Sequence, residues 1–278
     1  MNKKILVFLA ICFGISYLSA GLFHFLGGDY ASFSGTLFAS CYMLVPALSV
    51  AITQIIFKEK VFRGVGLKFR INIWWLVALV GLPLMCILAT LASGLFPGIR
   101  LSLNTPLMET TLNQMAAAGT PMGAWSVLAV NLVSGLAAGC TINALFALGE
   151  EIAWRGFLPA NMEGWGFWKK CLVIGLVWGL WHAPIILMGH NYPEHPVFGV
   201  FMMTVLCMLL TPVILHLREK GGSVVTAAIA HGSMNAIAGI AMLLLAGYNE
   251  LLCGMTGLAG FVVMAATDLL IYFNRKRG

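Results

Sequence analysis

Residues 72–95, NIWWLVALVGLPLMCILATLASGL, carry no charged side chain, and none occurs anywhere between Arg70 and Arg100. As a helix rising 1.5 Å per residue, such a run is about 36 Å long. That exceeds the roughly 30 Å of a bilayer's hydrocarbon core. A helix is the form such a run must take there, because it satisfies its own backbone groups where no water can. The same reading extends outward in both directions. Comparable apolar runs lie at 5–27, 36–57, 125–148, 170–189, 197–216, 223–246 and 252–273. The chain therefore reads as all-α: a polytopic membrane helix bundle of about eight transmembrane helices, forming a single transmembrane domain over 1–278.

Composition agrees. Of 278 residues, 60% are hydrophobic and 9% charged, against roughly 25% charged in a soluble domain. A soluble fold this poor in charge could not cover its own exterior, whereas lipid tails remove that need. The net charge of +6 is spread over the ends of apolar runs. No clustered basic face results, so nucleic acid is not a partner. Seven cysteines, at 12, 41, 86, 140, 171, 207 and 253, stand singly without ligand-type spacing. They read as small apolar side chains and not as a disulfide framework or a zinc site. The run from Ile5 to Leu26 is too long for a signal-peptide core and reads as a retained first span.

The connections alternate in charge. Lys3 and Lys4 precede the first span, and Lys58, Lys60, Arg63, Lys68 and Arg70 separate the second and third. Lys169 and Lys170 begin the fifth, Arg218 and Lys220 follow the sixth, and Arg275, Lys276 and Arg277 close the chain. The alternate loops hold only Arg100, and Arg155 lies apart from both sets. Basic loops stay in the cytoplasm, so both termini are expected there, as an even number of spans requires. Phe57–Arg70 is expected along the inner membrane surface, and Leu107–Ala118 as a short helix in the outer loop.

Charged side chains at membrane depth cost at least ~2.5–3.5 kcal/mol on insertion scales and are functional candidates by default. Three groups stand out. The first is Glu150-Glu151-Ile152-Ala153-Trp154-Arg155, on a fourth helix expected to run to about Phe157. Glu151 and Arg155, four apart, face the same way and can pair. Glu150 lies about 100° around the helix without that partner. The second is Trp178-Gly179-Leu180-Trp181-His182-Ala183-Pro184, where Pro184 is expected to kink the helix and free backbone carbonyls. The third is His231-Gly232-Ser233-Met234-Asn235, with His231 and Asn235 on one face. These residues read either as a structural polar network or as a hydrolytic site. In the second case a carboxylate or a histidine activates water, and the asparagine and remaining histidine stabilise an oxyanion. His and Glu could equally ligate a divalent metal such as zinc, through Glu150, His182 and His231. The HExxH spacing of zinc proteases does not occur. His190 and His195 fall in an outer loop, His216 and His24 at span ends, and Asp268 in the last span has no partner to name.

In this order on successive helices, the three groups resemble the CPBP family: CAAX prenyl proteases and bacteriocin-processing enzymes, also called Abi. Its pattern is EExxxR, then FxxxH, then HxxxN or HxxxB. The first and third are complete here, while Trp178 stands where Phe is usual, a change read as affecting packing only. The resemblance covers about 150–235 specifically and implies a catalytic core over about 125–246. It implies an intramembrane endopeptidase with a conical cavity open to the cytoplasm, acting on hydrophobic or prenylated peptides within the bilayer. By carry-over Glu150 would activate water, His182 position it, His231 and Asn235 stabilise the oxyanion, and Glu151 and Arg155 hold the site in shape. A glutamate mechanism without cofactor is favoured over a metal-dependent one. Two readings from other classes stand beside this one: a non-catalytic immunity or scaffold protein of the same fold, and a proton-coupled transporter. The transporter reading is weakened by the lack of matching inverted halves.

Overall fold

The computed structural model describes residues 2–277. Polar side chains at the start of several helices set where they begin. Asn2 accepts from the Lys4 amide and opens α1, Lys3–Phe25. Ser32 accepts from Gly35 N at the start of α2, Phe33–Tyr42, which continues after a short break as α3, Val45–Ile56. Asn72 caps α4, Ile73–Ser93. Each cap satisfies a backbone donor that the first helical turn leaves free.

Beyond α4, a two-residue strand β1 (Arg100–Leu101) leads into α5, Pro106–Ala117, close to the expected outer-loop helix. Then follow α6 (Ala124–Gly139) and α7 (Ile142–Glu151), a π-helical turn (Ile152–Phe157) and α8 (Leu158–Ala160). The remaining elements are α9 (Phe167–Trp181), α10 (Ala183–Leu187), α11 (Pro196–Gly221), α12 (Val224–Ile237), α13 (Ile240–Leu244), β2 (Leu245–Ala246) and α14 (Leu258–Arg277). The strands pair antiparallel, Arg100 opposite Ala246 and Leu101 opposite Leu245. They are the only departure from an all-helical fold among the described residues. Gly222, at φ +70°, ends α11 in the left-handed conformation, and Ser223 at once caps α12 by accepting from Val225 N. This makes a tight α11–α12 hairpin.

The molecule is an integral multi-pass membrane protein. Large apolar side chains, among them Leu18, Phe25, Ile55, Leu76, Val133 and Leu270, point outward around the bundle, as lipid-facing positions do. Six helices are long and apolar enough to cross a membrane, counting α2 with α3 and α12 with α13 as single spans. The pair α6 and α7–α8, bent by 47°, makes a seventh. Length and composition alone do not bring out the expected count of eight. The run expected at 170–189 is divided into α9, of 15 residues, and the five-residue α10. Pro184 has no N–H to offer the Leu180 carbonyl, which accepts instead from the Tyr17 hydroxyl at 2.7 Å. The Trp181 carbonyl likewise accepts from Tyr42 at 2.9 Å.

α12 lies at the centre, packed against α4, α6, α7 and α11, and α9 packs along α11. Small residues allow these close crossings. A Cβ on Gly175 of α9 would lie 2.5 Å from Met208 Cα of α11, and one on Gly232 of α12 would lie 2.6 Å from Ala144 N of α7. Gly175→Leu is expected to push α9 off α11 and destabilise the protein by about 1–3 kcal/mol, the usual cost of overpacking. Thermal unfolding in detergent would measure it, with Gly14→Leu, whose added side chain meets open space, as the control.

The helix ends sort onto two faces. One holds Lys4, which pairs with Glu59, the segment 57–72, the 161–166 turn, and the Glu219–Arg275 pair. Segment 57–72 has no regular structure and is pinned by the Gln54 side chain, which accepts from Phe62 N and donates to the Arg63 carbonyl. The opposite face holds 26–32, 94–123, 188–195 and 245–257.

Candidate functional site

The three motifs converge between α7, the π-helical turn, α9, α11 and α12. π-Helical turns in α-helices recur at functional sites, and this one is wholly buried. It carries Arg155 to within 2.9 Å of Glu151 Oε1 and 3.3 Å of the Thr211 hydroxyl. Glu151 and Arg155 are both fully enclosed. The pair expected from the spacing therefore forms. His231 Nδ1 also bonds Glu151 Oε1, at 2.9 Å. One carboxylate oxygen thus orients both an arginine and a histidine.

Glu150, adjacent in sequence, has a different environment. Its Oε2 accepts two indole N–H groups, from Trp178 at 2.7 Å and Trp154 at 3.3 Å. Its Oε1 makes no hydrogen bond and is not among the enclosed polar atoms, so it meets open space. The cavity it meets, of about 240 Å³, is also lined by Trp178, His182, His231 and Asn235. Glu151 Oε2, by contrast, is enclosed without a partner. Two neighbouring glutamates thus differ: one presents an oxygen to the cavity, and the other is sealed in the scaffold.

The histidines are oriented by what holds their Nδ1 atoms. His182 Nδ1 lies 2.8 Å from the Trp178 carbonyl. A carbonyl only accepts, so the ring's proton sits on Nδ1 and the lone pair on Nε2. Neither His182 Nε2 nor His231 Nε2 makes a hydrogen bond or is enclosed, so both reach the cavity. Asn235, one turn beyond His231, is exposed.

Trp178 does more than the packing expected of it. Besides bonding Glu150, its ring lies 4.1 Å from the Arg155 guanidinium carbon and 5.3 and 5.7 Å from the His231 and His182 rings. A Phe could fill this space but could not donate to Glu150. Trp154 and Thr211 are further partners that the sequence reading missed. Trp154 stood four residues after Glu150, a signal that was available. Thr211, on a distant helix, offered none.

The metal alternative can be tested on geometry. Among the described residues, the one group of three ligating side chains whose donor atoms all lie within 4.8 Å of one another is Glu194, His195 and Glu250, in loops of the opposite face. Glu150, His182 and His231 do not form such a group, so the proposed ligand set is not preassembled. The His195–Glu250 contact of 3.0 Å ties two of those loops together. Asp268 Oδ1 is enclosed without a partner among the described residues.

The cavity's lining runs from Glu150 to Tyr30, His190, Asn191 and Thr256, all in or beside loops of the face opposite the basic segments.

Comparison with known proteins places this same region. Residues 124–237 match the family model described as type II CAAX prenyl endopeptidase, Rce1-like. A stretch of 56 residues is 30% identical to CAAX prenyl protease 2 of Methanococcus maripaludis. That alignment spans 20% of this chain and 20% of the archaeal protein.

Proposed function

We propose that this chain, whose residues 124–237 match the model of the Rce1-like CAAX prenyl endopeptidases, is an intramembrane endopeptidase for membrane-embedded or lipidated peptides. The observation that carries the proposal is the division of labour between the two glutamates. Only Glu150 offers an oxygen to the cavity, while its other oxygen is fixed by two indoles.

In the proposed reaction, Glu150 Oε1 takes a proton from a water oriented by His182 Nε2. The resulting hydroxide forms a bond to the scissile carbonyl carbon. The carbonyl's π electrons move to its oxygen, where the Asn235 amide N–H and His231, in its doubly protonated form with Nδ1–H on Glu151 and Nε2–H in the cavity, stabilise the developing charge. The C–N bond then breaks, and the proton held by Glu150 passes to the leaving amine. Glu151 and Arg155 act through others by fixing His231 and the ring of Trp178. A glutamate mechanism is favoured because the alternative ligands, Glu150, His182 and His231, do not converge as a metal site would. Cytoplasmic termini are proposed on the basic residues.

A direct test is hydrolysis of a quenched-fluorescent farnesylated peptide by detergent-purified protein, with and without a strong chelator. The proposal expects cleavage that survives chelation and exceeds cleavage of the same peptide without its lipid. Loss on chelation would establish a metal enzyme. No cleavage of any lipidated or membrane-anchored peptide would favour a non-catalytic immunity or scaffold role. Within the reading, Trp178→Phe keeps the ring and removes its N–H. Hydrogen bonds to charged groups contribute about 1.5–3 kcal/mol. A fall in kcat of at least about tenfold, with KM little changed, is expected in the same assay.

A further inference from the structure

We infer that a lateral groove between α4 and α6 binds an acyl chain of an anionic phospholipid, with Arg100 on the headgroup. The groove shares no lining residue with the cavity at Glu150. The inference rests on the membrane fold and not on the endopeptidase reading.

Three observations converge. The first is shape. α4 and α6 both pack on α12 but barely meet each other. The gap between them holds about 600 Å³, against about 240 Å³ for the catalytic cavity. Ile87 and Leu91 of α4 line one side, Leu128 and Leu132 of α6 the other, and Ile240 and Leu244 of α13 the floor. Leu91, Trp125 and Ala129 are exposed, so the groove is open to the side. From Trp125 to Leu132 its α6 wall runs about 10 Å, against roughly 15 Å for the hydrocarbon of one leaflet.

The second is the chemistry of the lining. Its two side-chain hydroxyls are already engaged. Thr90 donates to the Cys86 carbonyl at 2.9 Å, and Ser102 accepts from Asn104 N at 3.0 Å. Water stays in such a space only where it finds two or more polar partners. α4 and α6 belong to spanning segments, so the neighbour that fills an open apolar groove there is hydrocarbon.

The third is charge. Arg100 is the one Lys or Arg in the loops at this end of the bundle. It is exposed and pairs with no carboxylate among the described residues. It directly precedes Leu101, which lines the groove, and β1 is held to β2 just after Leu244 of the floor. Trp125 lines the groove at the start of α6. Tryptophan favours the headgroup level of a bilayer, and an arginine there meets phosphate with paired hydrogen bonds. A headgroup with net negative charge adds an attraction that a zwitterionic one lacks.

Photolabelling of the purified protein in phosphatidylcholine vesicles tests the site. The vesicles carry traces of phosphatidylglycerol or phosphatidylcholine, each with a diazirine on its acyl chain, and labelled residues are read by peptide mass spectrometry. Phosphatidylglycerol is expected to label 87–91 and 125–132 more heavily than phosphatidylcholine does. Arg100→Gln is expected to weaken phosphatidylglycerol labelling there about fivefold, the equivalent of the ~1 kcal/mol that one basic side chain contributes near anionic lipid. Labelling at Ile55 and Ile56, beside the basic segment 57–72, should stay as in the wild type. Ala129→Trp, which places an indole in the groove, is expected to reduce labelling there by both lipids. Leu18→Trp, on the exposed face of α1, is the control. If Ala129→Trp fails to fold, Arg100→Gln decides alone.

Equal labelling of the groove by the two lipids in the wild type would overturn the inference. So would phosphatidylglycerol labelling unchanged by Arg100→Gln. Groove labelling weaker than that of the exposed face of α1 would mean that a second copy of the chain covers it, and would overturn the inference as well. No step reads peptide cleavage, so failure of the endopeptidase reading would leave this result as it stands.

Discussion

Glu150→Gln is expected to abolish peptide hydrolysis while leaving the bundle folded. The substitution keeps the side chain's shape and an oxygen for the Trp178 and Trp154 indoles, which lie 2.7 and 3.3 Å from Oε2. What it removes is the basic oxygen facing the cavity. General-base catalysis contributes about 10²–10⁴-fold, and a loss of that size in kcat, at unchanged thermal stability, is the expected result. The informative comparison is Glu151→Gln. Glu151 has no oxygen in the cavity, so its loss acts through His231 and Arg155. It should lower stability and activity together. A Glu150→Gln variant that still turned over would move the base to a histidine.

Arg155→Met should have the largest effect on stability. Arg155 is fully enclosed, pairs with Glu151 at 2.9 Å and donates to Thr211. Removing it leaves Glu151 as a carboxylate without its cation, already with one enclosed oxygen unpaired. Breaking a buried pair from one side costs about 3–5 kcal/mol, mostly because the surviving charge is stranded. The variant should be recovered in low yield and unfold early in detergent. Removing both charges, as Glu151→Gln with Arg155→Met, should regain part of that loss, because no uncompensated charge remains. The double variant's activity should stay low, since His231 then lacks the carboxylate that orients it. Thermal unfolding of the two single variants and the double variant, read as a cycle, measures the coupling directly.

The membrane class, most of the spans and the three polar groups were legible because each rests on local chemistry. An uncharged run must bury itself in lipid, and an i, i+4 acid–base pair on a helix must meet. Pro184 announced its kink in the same way. The full division of the fifth run was not legible, because hydropathy sees 170–189 as continuous and Pro184 announced only a kink. Only the chain's geometry shows α9 ending at Trp181 and the Leu180 carbonyl passing to Tyr17. The difference between Glu150 and Glu151 was legible in part. Spacing paired Glu151 with Arg155, but nothing local told that an indole from α9 would hold Glu150.

By itself, then, the sequence determined the solvent this protein lives in, the residues able to do chemistry and the face on which its positive charge lies. Tertiary structure alone decided which carboxylate oxygen meets the cavity, and that Trp178 is a hydrogen-bond donor and not only a packing ring. The physical reason is range. Hydropathy, charge bias and helical spacing act within a few residues, whereas Trp178 to Glu150, His231 to Glu151 and Thr211 to Arg155 join atoms separated by 28, 80 and 56 positions. Such contacts exist only once the helices have packed.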